Sequence, residues 1–159
     1  MTAIIRGHDV GTVAEEKHAN RLIVAIDGPA GVGKSTAAKS LAARLGYLYL
    51  DTGALYRAMA WAVLESVRDP ADAEAVAALL PSLSIQMPLH HGTVTVLVNG
   101  RDVTGELRTP AVSSAASVVS AIPAVRAWLL PIQRLIGAGG AVVAEGRDMG
   151  TTVFPSADV

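Results

Sequence analysis

Gly28, Gly33, Lys34 and Ser35 stand at the spacing G-x-x-x-x-G-K-[ST] within the segment GPAGVGKS, residues 28–35. That spacing has a specific chemical reading. Gly28, Gly31 and Gly33 let backbone N–H groups turn inward and approach a polyphosphate. A helix following the loop would point its positive end at the same charge. Lys34 would reach the β- and γ-phosphates, and Ser35 would ligate Mg²⁺. Pro29, Ala30, Val32 and Thr36 complete the loop. The chemistry implied is capture of a nucleoside triphosphate.

The flanking residues must supply the strand and the helix that this mechanism requires. LIVAID, residues 22–27, is a continuous apolar run suited to a strand buried on both faces of a parallel sheet. TAAKSLAARL, residues 36–45, is rich in alanine and leucine and is closed by Gly46, so it reads as the helix. The pattern then repeats. YLYL, residues 47–50, is a second strand, and Asp51 opens a helix with Leu55, Met59, Ala62 and Val63 on one face. Asp69 and Pro70 predict an N-cap and first turn for a helix over 70–80. Alternating strands and helices argue for an α/β domain with a parallel sheet.

The period changes beyond residue 80. Residues 83–87 and 93–98 alternate like half-exposed strands, and Asn99-Gly100 is a strong hairpin signal. These features predict a small inserted antiparallel hairpin subdomain over about 80–108. Helices are expected over 110–121 and 123–136, with Pro131 kinking or splitting the second. Residues 141–145 read as another buried strand, followed by a loop over 146–155. Residues 1–20 show no steady periodicity and are expected to form a loose extension. Asp27 and Glu145 end strands beside the glycine loop, where carboxylates either hold Mg²⁺ through water or hydrogen-bond the loop. His90 and His91 lie in an exposed turn without carboxylate company and make a poor metal site. Trp61 and Trp128 are expected in packing.

Composition narrows the function further. The 159 residues are 51% apolar and 17% charged, enough to bury a core. A net charge of −1 offers no global basic field for a nucleic-acid polymer. The absence of cysteine removes disulfides, thiolate-bound zinc and cysteine nucleophiles. The longest uncharged stretch, residues 109–125, contains two prolines and four serines and is too polar to span a membrane. No signal-peptide pattern opens the chain. A soluble, cytoplasmic monomer is the expectation.

Three segments together resemble the bacterial cytidylate kinases: IDGPAGVGKST (26–36), LDTGALYR (50–57) and EGRDMGTTVFP (145–155). Shorter matches at 98–104, 107–109, 113–120, 125–126 and 133–134 extend the resemblance over residues 21–159. It implies the P-loop nucleoside-monophosphate-kinase fold and transfer of the γ-phosphoryl group of ATP to CMP or dCMP, in pyrimidine nucleotide metabolism. Mg²⁺ is the implied cofactor. By position, the cytosine contacts fall on Ser117, Arg126 and Asp148. The monophosphate contacts fall on Arg57 and Arg147, with Thr52 and Tyr56 lining the same pocket. Lys34, Arg57 and Arg147 would be catalytic. Relatives continue past the position of Val159 into a further strand and a mobile LID, so the resemblance predicts a domain in which the last strand and the LID are missing.

These residue types suit the task. Ten of the thirteen basic residues are arginine, whose planar fork binds phosphate oxygens in pairs. Cytosine offers an amine donor beside ring-nitrogen and carbonyl acceptors, which an Asp, Arg and Ser set complements. Asp148 and Arg147 also follow a strand at its carboxyl end, where open α/β sheets place ligands. Each position has a plainer reading. Arg126 would be a solvated helix charge, Arg147 and Asp148 a loop-stabilising ion pair, Ser117 a small packing residue and Thr52 a helix cap. A kinase for UMP or AMP and a non-catalytic nucleotide-binding fragment remain alternatives. A GTPase is disfavoured because no N-K-x-D motif is present.

Overall fold

In the computed structural model the described residues are 21–29, 31–90 and 93–159. The expectations for residues 1–20, Ala30 and His91 lie outside them. A parallel three-stranded sheet carries the domain, in the order β1 (Ile23–Asp27), β8 (Val142–Gly146), β2 (Leu48–Asp51). Ile23 lies opposite Val142 and Asp27 opposite Gly146, while Leu48 and Asp51 face Val142 and Glu145 from the other side. The strand after the long insert is therefore the central one, and it is the most buried. Its alternating side chains serve two cores. Val143 packs with Val24 and α1 (Lys34–Leu45), whereas Val142 and Ala144 pack with Leu50, Met149 and Phe154.

β1 is less deeply buried than its apolar run predicts. Only Val24 is buried, because β1 flanks β8 instead of lying between two full strands. Its outer edge is met by the backbone of Asp158 and Val159: Asp158 N donates to Ile23 O at 2.9 Å and Ala25 N to Val159 O at 2.8 Å.

α2 (Thr52–Glu65) is buried almost all round rather than on one face, since Ala54, Leu55 and the six consecutive residues Ala58–Val63 are all buried. It forms the axis of the largest core with α4 (Pro110–Val119) and α5 (Pro123–Gly137). α3 is Ala73–Leu79, three residues later than the Asp69-Pro70 signal implies. Asp72 is the cap, its carboxylate accepting from Ala75 N at 3.0 Å, while Asp69 and Pro70 close a preceding turn through Ala71 N. A 3-10 turn, Leu80–Ser82, follows.

The insert is built from very short strands. β3 (Ile85–Gln86), β6 (Leu97–Val98) and β7 (Arg101–Asp102) make one antiparallel sheet, and β4 (Leu89–His90) with β5 (Thr93–Val94) makes a hairpin. Asn99 and Gly100, at φ 49° and 82°, form the expected tight turn between β6 and β7. Ile85, Val96, Val98, Val103 and Leu107 join the core of α2, α4 and α5, so the insert shares that core and has none of its own. Trp61 seals the junction, donating from Nε1 to Glu106 Oε2 at 2.7 Å beneath the guanidinium of Arg101.

α5 runs through Pro131, so of the kink or split expected there the split does not occur. Residues 149–153 are also more ordered than a loop. Met149–Val153 is a π-helical turn, fixed by Arg134 donating to the carbonyls of Thr152 and Val153. Among the described residues no single helix is long and apolar enough to cross a membrane, and α4 and α5 are bent 101° apart.

Candidate functional site

The glycine loop occupies the turn between β1 and α1, as its spacing requires. Gly33 is the N-cap of α1 at φ 87°, a left-handed backbone that favours glycine and aims the first N–H groups of the helix outward. Lys34 folds back over the loop and donates from Nζ to Pro29 O at 2.6 Å.

Beside the loop lies an open cleft of about 770 Å³. One wall is Gly31, Gly33, Lys34, Ser35 and Thr36; the opposite wall is Thr52, Tyr56, Arg57, Ser117 and Arg126, with Arg147 and Asp148 at the carboxyl end of β8. Every substrate-side residue singled out from the sequence therefore meets the loop in one cavity, although they come from α2, α4, α5 and the segment after β8. Gly28, Pro29 and Val32 belong to the loop but do not line this cavity.

Each position is set by local chemistry. Asp51 ends β2 and caps α2, its Oδ1 accepting from Ala54 N at 3.1 Å. Asp51 is thus the cap, and Thr52 is not. The Thr52 hydroxyl donates instead to Glu145 O at 2.7 Å, pinning the start of α2 to β8. Asp51 Oδ2 also binds Arg57 Nη2 at 2.7 Å, leaving the buried Arg57 Nε without a partner. Gly146 lets these elements close together: a Cβ there would lie 2.6 Å from both Thr52 Oγ1 and Met149 Cε.

Arg126 and Asp148 form an ion pair across the cleft, joining α5 to the segment after β8. Arg147 is exposed on the cleft wall with no ion-pair partner among the described residues. Ser117 Oγ lies 3.4 Å from Ser113 O on α4, and Ser113 and Ser120 line the cleft with it. Tyr56 is half-buried. Burial raises its hydroxyl pKa and Asp148 adds to that, against opposing effects from Arg126 and Gln133.

Asp27 and Glu145 separate into different environments. Asp27 accepts from Met149 N at 2.6 Å and Gly150 N at 2.9 Å, so both its oxygens brace the π-helical turn. Glu145 is buried and accepts a hydrogen bond from the Tyr49 hydroxyl, which also interacts with Ser35. The Tyr49 pKa is raised, chiefly by burial and then by that bond to Glu145. Among the described residues no group of three His, Asp or Glu side chains converges on an ion position. The hydroxyl of Ser35 and the Glu145 carboxylate are hard oxygen donors of the kind Mg²⁺ accepts, and few are needed when phosphates complete its shell.

Several cleft residues escaped the sequence reading. Lys39, Asp51, Gly53, Arg108 and Ser113 all line the cavity. Lys39 was visible as one turn beyond Ser35 on the same helix, and its ammonium lies 5.4 Å from the Tyr49 ring. Arg108 had only its position before the α4 cap to mark it. Gln133 had a clearer signal. Val125, Leu129, Gln133 and Gly137 form the buried i, i+4 stripe of α5, so an amide stands where an apolar residue belongs.

A parallel α/β sheet, a glycine loop feeding a helix and a cleft lined with arginine define the P-loop kinase class. The cytidylate kinase family model matches residues 24–159, and the chain belongs to that family. It is 51% identical over 140 residues to a cytidylate kinase of Solibacter usitatus, covering 87% of this chain and 58% of that protein. It is 55% identical over 138 residues to a bifunctional pantoate ligase/cytidylate kinase of Synechococcus sp. WH7803, covering 86% of this chain and 28% of the relative. A bifunctional protein of that name from Synechococcus elongatus is 49% identical over 144 residues. The chain thus spans little more than half of the single-function relative and under a third of the bifunctional ones.

Proposed function

We propose that the chain transfers the γ-phosphoryl group of ATP to CMP or dCMP, giving CDP or dCDP, in cytoplasmic pyrimidine nucleotide metabolism. The observation that carries this reading is the single cleft in which the glycine loop faces Arg57, Arg126, Arg147 and Asp148. Phosphoryl transfer asks for in-line placement of two phosphates and for positive charge around them, with little covalent work by the protein. The loop amides and Lys34 hold the donor. Arg57 and Arg147 hold the monophosphate, while Ser117, Arg126 and Asp148 read the base and Thr52 and Tyr56 close the pocket wall.

Ser35 would hold Mg²⁺, with Glu145 beside it. The ion supplies charge neutralisation at the β- and γ-phosphates. No general base is needed, because a monophosphate is largely dianionic near pH 7 and already nucleophilic. The positions of Arg57 and Arg126 support the assignment, since each guanidinium is held by a carboxylate before any ligand arrives.

ADP release from Mg·ATP, measured with CMP, dCMP, UMP or AMP as acceptor, tests the reading against a Lys34→Ala control. Turnover dependent on CMP or dCMP and lost in the variant is expected. Turnover with UMP or AMP in their place would refute the cytidylate assignment. CMP binding without turnover would reduce the chain to a nucleotide-binding module.

A further inference from the structure

Tyr49 stands on β2 behind the cleft wall, and three of its partners stand on that wall. Ser35, Lys39 and Glu145 line the cavity, whereas Tyr49 does not. Its ring packs in the core between the sheet and α1, with Val24, Ala38 and Val143. From there its hydroxyl donates to Glu145 Oε1 near the end of β8. The Ser35 hydroxyl acts on the same phenol in the sense of a donor. The Lys39 ammonium lies 5.4 Å from the ring centroid. β2, α1 and β8 thus converge on one phenol.

The order of these interactions has a chemical consequence. A serine hydroxyl that ligates a cation must turn a lone pair to the ion and its proton elsewhere. Tyr49 can take up the Ser35 proton because its own is committed to Glu145. Glu145 is buried, and among the described residues Tyr49 is the one donor to its carboxylate. Without that bond nothing fixes which way the carboxylate faces.

We propose that Tyr49 is a positioning residue for the ion of Mg·ATP, holding the Ser35 hydroxyl and the Glu145 carboxylate so that their remaining lone pairs are left for Mg²⁺. The inference rests on the role proposed above for Ser35 and Glu145, and it adds the group that sets them. Tyr49 is not on the cleft wall, so its contribution should show only when the ion is present.

Tyr49→Phe keeps the ring and removes the hydroxyl. Calorimetry of ATP binding, with Mg²⁺ and then with excess EDTA, separates the ion's share from the rest. Affinity for Mg·ATP should fall about tenfold, as when a group that orients metal ligands is lost, while metal-free ATP binds as before. A phenol that only braces β2 against β8 would weaken both forms alike or neither, and either pattern overturns the proposal. A second reading needs no substitution. With isotope-labelled tyrosine, the Tyr49 ring resonance should move when Mg²⁺ is added to the ATP complex; a resonance that ignores the ion would refute the assignment. If the unsubstituted chain bound ATP equally well with and without Mg²⁺, the parent reading of the ion site would fall, and this one with it. A preference for Mg·ATP kept intact in Tyr49→Phe would refute this one alone.

Discussion

Asp51 does three things at once, and removing it gives a prediction whose parts can be separated. It ends β2, caps α2 through Oδ1 and holds Arg57 through Oδ2. Asp51→Ala removes the cap, which costs about 1 kcal/mol. It also strands a guanidinium that is only 24% exposed and whose Nε already lacks a partner. Leaving such a group unpaired costs about 1–3 kcal/mol, discounted toward the low end by its partial solvent access. The sum is about 2–3 kcal/mol, or roughly 4–12 °C in midpoint for a chain of this size. Asp51→Asn keeps an oxygen for Ala54 N and removes only the charge, so it should fall about 1 kcal/mol short of the alanine variant's loss. Urea unfolding of the three proteins, fitted with a common slope, reads both differences. Equal losses in the Asn and Ala variants would show that the cap contributes nothing. A loss below about 0.5 kcal/mol in both would refute the dual role.

Gly146→Ala should destabilise by about 1–3 kcal/mol, because the Thr52 hydroxyl cannot yield without leaving Glu145 O, and thermal melts would show it. Thr52→Val should cost about 1 kcal/mol in denaturant unfolding through that same lost bond; no loss would mean the hydroxyl serves only a ligand. Asp148→Ala should mainly erode the preference for CMP over UMP and AMP in competition assays, since it removes the partner of Arg126 from the cleft. An unchanged preference would contradict its base-reading role.

Much of this was legible in the chain because it is written locally. The glycine loop needs a fixed spacing, and the Asn99-Gly100 turn needs two left-handed residues; a reader of either finds it without knowing the fold. The α3 boundary failed because Asp69-Pro70 and Asp72 are both plausible caps, and only Asp72 lies where the following residues pack. Residues 149–153 carry glycine and threonine, a loop composition, yet Asp27 and Arg134 from distant elements hold them in a helical turn. Residues 96 positions apart make the Tyr49–Glu145 contact, and no periodicity announces it. The carboxylate partners of Arg57 and Arg126 were hidden differently. Sequence shows where a cation stands, but not what holds it before its ligand comes.

Those two pairs also shape the field of the site. Lys34, Lys39, Arg57, Arg108, Arg126 and Arg147 line the cleft against the carboxylates of Asp51, Glu145 and Asp148, so its local charge is positive in a chain of net charge −1. Arg57 and Arg126, each beside an Asp, add little to the potential felt at a distance. The long-range pull on an anion comes from the four other cations, and it fades beyond about 8 Å at physiological salt. Ionic strength should therefore govern how often a nucleotide arrives. On the proposed function, how well it stays should depend more on whether its phosphate and base can replace Asp51 and Asp148 as partners of Arg57 and Arg126, a trade made at contact.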